Sequence, residues 1–529
     1  MNPVLLGLTV FLTAAGALIV EIVAARLMAP VVGMSVYTWT AIIAVVLSGL
    51  TAGHWVAGRL VAGTADPVRG SRVVAGALLL AAAATMIALA LRPLAEPMIA
   101  ALGGVNLATI VVLTLVMFFA PSFFAGIVSP IATNMALVDT GDRQGQVLGR
   151  MFALGAAGSI LGTLLAGFVM ISWLGSFRSM ITVAAVYAGL GSVFWLWSSR
   201  SRIMPMIAIL ILGGLGWGSA DLARAHDPCL KESRYYCLSL LDASEAAGFP
   251  SRGLKIDGWL HSVEARDGSD RLYIEAHHFV DEYARARFSE VGGPASAFIL
   301  GGGGLTVPER WRVDFPKSRL VVAEIDPEVT GFALEHFAVT IEPPLAVLHE
   351  DGRTALARQP VNVGYDIVHN DAYQGLTMPS HLVTREFNRL VKERLSAGGA
   401  YVVNLIDSSA APAFLLSMTR TLALDFPSVE VWRLEREPNR RGRRMHYGIV
   451  AGAQPSRFDR LIAARGIQRS WLRLDTELME TLATGMTVPI LTDDYAPVER
   501  LLANYCSLRF LATIGINIGR PEACGERRS

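Results

Sequence analysis

The stretch "AFILGGGGLTVPERW", residues 297–311, decides the fold of the second half of this chain. An apolar, strand-like run ends in four consecutive glycines, and a helix-like segment opens at Thr306. Strand, glycine turn and helix in that order begin a βαβ unit, and bare glycine backbone lets a ligand come close. The glycines alone fit tight packing equally well. The segments downstream are more telling. "RLVVAEID" (319–326) precedes "PEVTGFALEHF" (327–337), "LAVLHED" (345–351) precedes "GRTALARQ" (352–359), and "YDIVHND" (365–371) precedes "HLVTREFNRLVKERL" (381–395). "GGAYVVNLI" (398–406) is a further strand. This alternation predicts a doubly wound parallel sheet with helices on both faces.

In such sheets ligands bind beyond the carboxyl ends of the strands. Gly301 to Gly304 follow the first strand. Glu324 ends the second, 23 residues after Gly301, an offset that suits a carboxylate accepting from ribose hydroxyls. Asp351 ends the third strand and Asp371 the fourth. Four successive strands thus deliver glycine or acid to one sheet edge, which core packing does not require. A nucleoside site is predicted there. No Lys or Arg follows the glycines at the spacing of a phosphate-binding loop, which argues against a triphosphate.

The first half has another texture. The chain has 529 residues, 52% hydrophobic, with a formal net charge of +1. Residues 1–220 hold no Lys, ten Arg and five acids. Seven apolar runs are long enough to be spans, at about 3–29, 36–62, 72–91, 105–138, 145–171, 176–198 and 203–220. The fourth carries Pro121 and Pro130, so a kink or a re-entrant piece is expected. Gly49-x-x-x-Gly53 and Gly158-x-x-x-Gly162 predict close helix packing. Glu21 and Arg26 in the first span form either a paired anchor or part of a polar cavity, and His54 lies in the second. The first segment is read as a retained helix rather than a cleaved leader. The arginine bias places the N-terminus in the cytoplasm, so seven spans would put the second half outside, on the periplasmic side of a bacterial inner membrane, whereas a fourth run that counts as two would put it inside; the bias leans outward. The near-zero charge argues against nucleic acid as a partner. Cys229, Cys237, Cys506 and Cys524 fit no metal motif. They are scattered thiols by default, or the disulfides Cys229–Cys237 and Cys506–Cys524 in an oxidising compartment.

"ILGGGGL", "VVAEIDPEV", "LHEDGRTAL" and "YDIVHNDAY", in this order, resemble the spermidine synthase (polyamine aminopropyltransferase) family. Upstream, "SRYYCLSLLD" and "LKIDGWLHS" resemble its small N-terminal β-domain. "GSILGTLLAGF" and "LTDDYAPVERLL" look typical of membrane-fused members. The resemblance implies a polytopic helical membrane domain over 1–220 and a small β-rich subdomain over 221–285. A Rossmann-like domain of the S-adenosylmethionine-binding type would fill 286–510, with a tail over 511–529. It implies transfer of an aminopropyl group from decarboxylated S-adenosylmethionine to an amine, without a metal. Gly301, Gly302 and Gly303 would pass close to the donor, Glu324 would bind its ribose and Asp351 its adenine amino group. Asp371 matches the catalytic carboxylate and would act as general base. Tyr236, His261, Tyr373 and Gln374 fall at substrate-binding positions.

The departures concern the acceptor. The family's usual Asp after the glycines is Gly304, the second acid after Asp371 is Gln374, and an upstream acid aligns with Ala276. The adenosine half of the site is kept and the polyamine half loses acids, which disfavours putrescine, a dication that needs paired carboxylates. Fewer acids would also admit the carboxylate of intact S-adenosylmethionine, so a methyltransferase is one alternative. A non-catalytic transporter or scaffold with a nucleoside-sensing domain is another. The expected partners are a lipid bilayer and a small-molecule amine or other acceptor, with a homodimer also open. His277 and His278 are read as ordinary core or surface histidines, "NRRGRR" (439–444) as a solvated loop, and Asp493, Asp494 and Glu499 as loop structure.

Overall fold

The computed structural model describes residues 2–61, 66–102, 107–138, 140–199, 229–361, 364–375, 377–409, 411–435, 444–484 and 486–502. The expected span at 203–220, Cys506, Cys524, the tail over 511–529 and nearly all of "NRRGRR" lie outside them. The chain divides into two compact units, Met1–Cys237 and Leu238–Ser529.

Among the described residues of the first unit, five helical runs are long and apolar enough to cross a membrane. They are Pro3–Val32, Val36–Leu60, Pro67–Ala101, Leu107–Leu137 and Gln144–Ser198. The last is 55 residues long, well beyond the ~20 that one crossing needs. It passes through a π-helical turn at Ala166–Met170 and leaves helical geometry at Gly175, with φ 77° and ψ 166°. The two expected spans at 145–171 and 176–198 therefore lie within one run, on either side of Gly175. Pro121 and Pro130 do not divide Leu107–Leu137, which stays one helix. Prolines are tolerated in such helices where neighbours close around the freed carbonyls. The small-residue pairs act by contact. A Cβ on Gly53 would lie 2.2 Å from Phe123 O, and one on Gly158 the same distance from Phe11 O.

Glu21 and Arg26 are not an ion pair. Five residues apart on an α-helix, they point about 140° from one another. Arg26 instead donates to the carbonyls of Ser233, at 3.0 Å, and Tyr235. The short strand β1 (Lys231–Glu232) follows the helices, and Glu232 Oε2 accepts from Ser176 N at 2.5 Å. Cys229 and Cys237 form a disulfide, which replaces the default reading of free thiols.

The second unit begins with antiparallel strands β2 (Cys237–Asp242), β3 (Ser251–Ile256) and β4 (Trp259–Ala265). Within the expected β-rich subdomain over 221–285, "DRLYIEA" (270–276) forms no strand. Its end opens a helix, Glu275–Arg287, which buries Phe279, Val280, Tyr283 and Ala284 on one side. Four apolar positions at helical spacing outweigh the short alternation of Leu272 and Ile274.

The main sheet has nine strands. Its parallel part comprises β5 (Ser296–Leu300), β6 (Arg319–Ala323), β7 (Leu345–Leu348), β8 (Tyr365–Asn370) and β9 (Leu395–Ser408). Four antiparallel strands, which the alternation did not foretell, extend it: β10 (Ser428–Leu434), β11 (Arg444–Gly452), β12 (Arg460–Ile462) and β13 (Ser470–Arg473). The order is β12-β13-β10-β11-β9-β8-β5-β6-β7. Both faces are covered. Phe298 and Leu300 join a core with Phe387 and Phe414, while Ala297 and Ile299 join another with Phe279 and Trp311. Burial of each large apolar side chain contributes about 1.5–3 kcal/mol.

The chain runs outward from β5 to β7, then returns to β8 on the other side of β5. That reversal between β5 and β8 is the switch point at which such sheets bind ligands. The C-terminal stretch is tied to the same edge. Asp493 accepts from both terminal nitrogens of Arg353, at 2.7 and 2.8 Å, and from Thr384 Oγ1 at 2.7 Å. Arg385 N donates to Leu491 O at 2.8 Å, and Leu491 is fully buried.

Candidate active site

The four glycines turn at the switch point, each for a local reason. Gly301 has φ +91°, and a Cβ there would lie 2.7 Å from Asp371 O. Gly303 has φ +49°. A Cβ on Gly302 would press on Glu324 at 3.3 Å. Gly304 lies against β4: its N–H donates to Ser262 Oγ at 2.9 Å, and a Cβ would sit 2.8 Å from Ser262 Cβ. The missing acid at this position thus has a packing cause. Gly304→Asp is expected to lower stability by about 1–3 kcal/mol. Ser262→Gly should recover at least half of that loss in the double variant, measured by thermal unfolding. Equal losses in the single and double variants would dismiss the contact.

Glu324, at the end of β6, is buried. Its Oε2 accepts from Gly302 N at 2.8 Å and Gly303 N at 3.4 Å, and its Oε1 from Asp326 N at 3.0 Å. Burial pushes its carboxyl up, against the pull of those three N–H groups. Asp351 caps the helix Gly352–Ala357, its Oδ1 accepting from Arg353 N and Thr354 N at 3.0 Å each. Its Oδ2 meets His381 Nε2 at 2.7 Å. Burial opposes its ionisation, but His381 and the two N–H groups hold the carboxyl below the ordinary range.

Asp371 follows β8, and its N–H donates to Leu300 O at 3.0 Å, which fixes it beside the glycine turn. Asn404 Nδ2, on β9, donates to Oδ1 at 2.7 Å. His277 Nε2 lies 3.2 Å from Oδ2, and His277 Nδ1 lies 3.1 Å from Thr306 Oγ1, at the start of the helix after the glycines. His369 Nε2 stands 4.0 Å from Oδ2. Burial alone would raise the Asp371 carboxyl. The hydrogen bond and charge of His277, with His369 and the Asn404 amide, prevail and hold it well below the usual carboxylate range. Such a carboxylate is a strong counter-ion and a weak base.

Three further imidazoles surround it. His261, on β4, is pushed down to about 4 by burial, with Asp371 raising it and His277 lowering it. Burial also lowers His369 and His446, with Asp371 opposing in both. These rings are neutral near pH 7. Beside them opens a small cavity lined by Glu275, Phe279, His369, Asn404, His446 and Trp471. Among the described residues, no group of three or more His, Cys, Asp or Glu is arranged to hold a metal ion.

The structure thus brings Gly301, Gly302, Gly303, Glu324 and Asp371 together at one sheet edge, with His261 electrostatically coupled to Asp371. Tyr373 turns its hydroxyl to β9, donating to Asn404 O at 2.9 Å and accepting from Ile406 N at 3.1 Å. Gln374 is exposed in a turn with Thr377. Tyr236 belongs to the first unit, where its N–H donates to Ser233 Oγ at 2.8 Å. His277 is not an ordinary core histidine, and Glu275, one position before Ala276, supplies an acid to the cavity. Placing 275–287 on a helix is what would have found both. His278 lies on another side of that helix, 3.5 Å from Glu282.

Fold and site define a Rossmann-like α/β unit with glycines and carboxylates at its switch point. No family model matches the chain. It is 36% identical over 110 residues to a probable polyamine aminopropyl transferase of Bifidobacterium longum, covering 21% of this chain and 24% of that protein. It is 33% identical over 117 residues to a polyamine aminopropyltransferase of Vibrio vulnificus, covering 22% of this chain and 39% of that one. The chain thus spans well under half the length of these relatives. A probable spermidine synthase from Corynebacterium glutamicum overlays at a TM-score of 0.42 with 20% identity, covering 50% of this chain and 95% of that one. Over the stretches matched in sequence, about a fifth of its length, the chain is similar to polyamine aminopropyltransferases.

Proposed function

We propose that this protein is a membrane-anchored, spermidine synthase-like transferase. It would move an aminopropyl group from decarboxylated S-adenosylmethionine, or a related adenosyl-sulfonium donor, to an amine. The observation that carries this reading is the junction of Gly301 and Asp371, a bare backbone turn and a partly buried carboxylate at adjoining strand ends. The donor supplies a sulfonium that makes its neighbouring carbon electrophilic. Gly301 to Gly303 form the floor beneath it, Glu324 takes the ribose hydroxyls and Asp351 the adenine amino group. Glu324 suits that task because the Gly302 and Gly303 amides already hold its carboxylate in the turn. Asp371 holds the acceptor ammonium as its counter-ion, in a pocket where an unpaired charge would be costly. Tyr373 positions Asn404 rather than touching the acceptor. His261 borders the acceptor side, while Tyr236 and Gln374 enter only through the family resemblance.

The five apolar runs support a multi-pass protein of a bacterial inner membrane. The Cys229–Cys237 disulfide supports an oxidising environment for the segment after them, in agreement with the arginine bias.

The test is product analysis on purified full-length protein with either sulfonium donor and a panel of mono- and diamines. Methylthioadenosine from the decarboxylated donor is expected. S-adenosylhomocysteine from the intact donor would replace this reading with methyl transfer. No product with any pair, despite donor binding, would favour a nucleoside-sensing, non-catalytic role.

A further inference from the structure

His369 is two residues before Asp371, on β8, and almost fully buried. Its Nδ1 lies 3.1 Å from Val402 O. A carbonyl only accepts, so Nδ1 carries the proton and Nε2 is left with a bare lone pair. That Nε2 is buried and has no hydrogen-bond partner among the described residues. An orphan acceptor in a core is costly unless something outside the chain completes it. His446, on β11, is fixed in the same way. Asn404 uses its amide nitrogen on Asp371, so its Oδ1 accepts from His446 Nδ1 at 3.3 Å, and His446 Nε2 is also an acceptor. Both rings line the same cavity.

His369 Nε2 and Asp371 Oδ2 are 4.0 Å apart. One nitrogen can donate to both at ordinary lengths of about 2.9 Å, with its two N–H bonds spread nearly as in an ammonium. A hydroxyl, with one hydrogen, cannot satisfy both. The groups that face this point are Asp371 from the end of β8, His277 and Glu275 from the helix Glu275–Arg287, and His446 and Asn404 from β11 and β9. His261 joins them electrostatically from β4.

We propose that His369 is the catalytic base: its Nε2 removes the proton from the acceptor's primary ammonium while Asp371 keeps the negative charge. This rests on the transferase reading. The ammonium gives one proton to His369, forming an imidazolium beside the Asp371 carboxylate. The freed nitrogen lone pair bonds to the carbon next to the sulfonium. The C–S bond breaks with its electron pair going to sulfur, leaving a neutral thioether and a secondary ammonium. The imidazolium then returns its proton to water. No oxidant, metal or further reactant is needed. Asp371 Oδ1 and Oδ2 already meet Asn404 Nδ2 and His277 Nε2, whereas His369 Nε2 is bare among the described residues.

The test uses full-length protein in detergent with n-butylamine and butane-1,4-diamine as probes. Histidine-selective 15N NMR, with His369→Gln to assign the ring, should show the Nδ1–H form and an Nε2 shift when either amine is added. With decarboxylated S-adenosylmethionine, His369→Gln should lower kcat about 100-fold or more at pH 7 and leave donor binding unchanged. The deficit should shrink as pH approaches the amine's own value of about 10, because the acceptor then arrives deprotonated. An Nε2–H ring, an Nε2 signal indifferent to amine, or a deficit equal at every pH overturns the assignment. If the wild type forms no thioether, the transferase reading fails by itself. The amine-dependent Nε2 shift then decides whether the amine site stands without it.

Discussion

Asp371→Asn should reduce transfer by about a thousandfold while leaving the fold and donor binding nearly intact. Asparagine has the same shape and can still accept from Asn404 Nδ2, now 2.7 Å from Asp371 Oδ1. On the other side its amide would face His277 Nε2, and that ring can reverse its tautomer, donating from Nδ1 to Thr306 Oγ1. The substitution therefore creates no new polar orphan, and the melting temperature should move little. What disappears is the negative charge that meets the acceptor at the switch point and the partner of any imidazolium at His369. A buried ammonium left without its counter-ion loses several kcal/mol, which sets the scale of the rate loss. Product formation by chromatography and donor affinity by calorimetry separate the two effects. A rate within tenfold of wild type would remove Asp371 from the chemistry.

Gly301→Ala should be the most damaging single methyl group in the second unit. The new Cβ would meet Asp371 O at 2.7 Å in a backbone conformation, φ +91°, that alanine resists. Neither side can yield easily, because Gly301 N is tied to Ala323 O at 2.9 Å and Asp371 N to Leu300 O at 3.0 Å. Strain and overpacking together amount to about 2–5 kcal/mol, or a fall of roughly 5–15 °C in the melting temperature of a domain this size. Donor affinity should fall at least tenfold as the strand ends part. Gly398→Ala is the control, since an added Cβ there meets nothing within 4 Å. Equal melting of the two variants would refute the close approach.

The parallel strands were legible because β5, β6 and β8 are short apolar runs buried on both faces, and the glycines and acids mark their ends. The residues that tune Asp371 were not. His277 and Asn404 reach it from a helix and a strand distant in the chain, and nothing local in sequence announces such meetings. His277 was hidden further because "LYIEA" alternates like a strand before the helical periodicity of Phe279, Val280 and Tyr283 takes over. The antiparallel strands β10 to β13 lack the helix spacing that betrayed the parallel ones. In the membrane half, apolar length was easy to read. Side-chain direction was not, so Glu21 and Arg26 looked like a pair although they point apart.

The tie between Arg353 and Asp493 joins residues 140 positions apart. It bears on how the protein is made. During synthesis the glycine turn and its acids leave the ribosome well before the segment that braces their edge. Until that segment emerges Arg353, Thr384 and the cleft that takes Leu491 wait uncovered, so the site matures only once it has been made. Any shortened version of the second unit must accordingly include Leu491 and Asp493, or it will keep every residue of the chemistry and lose the wall that holds them.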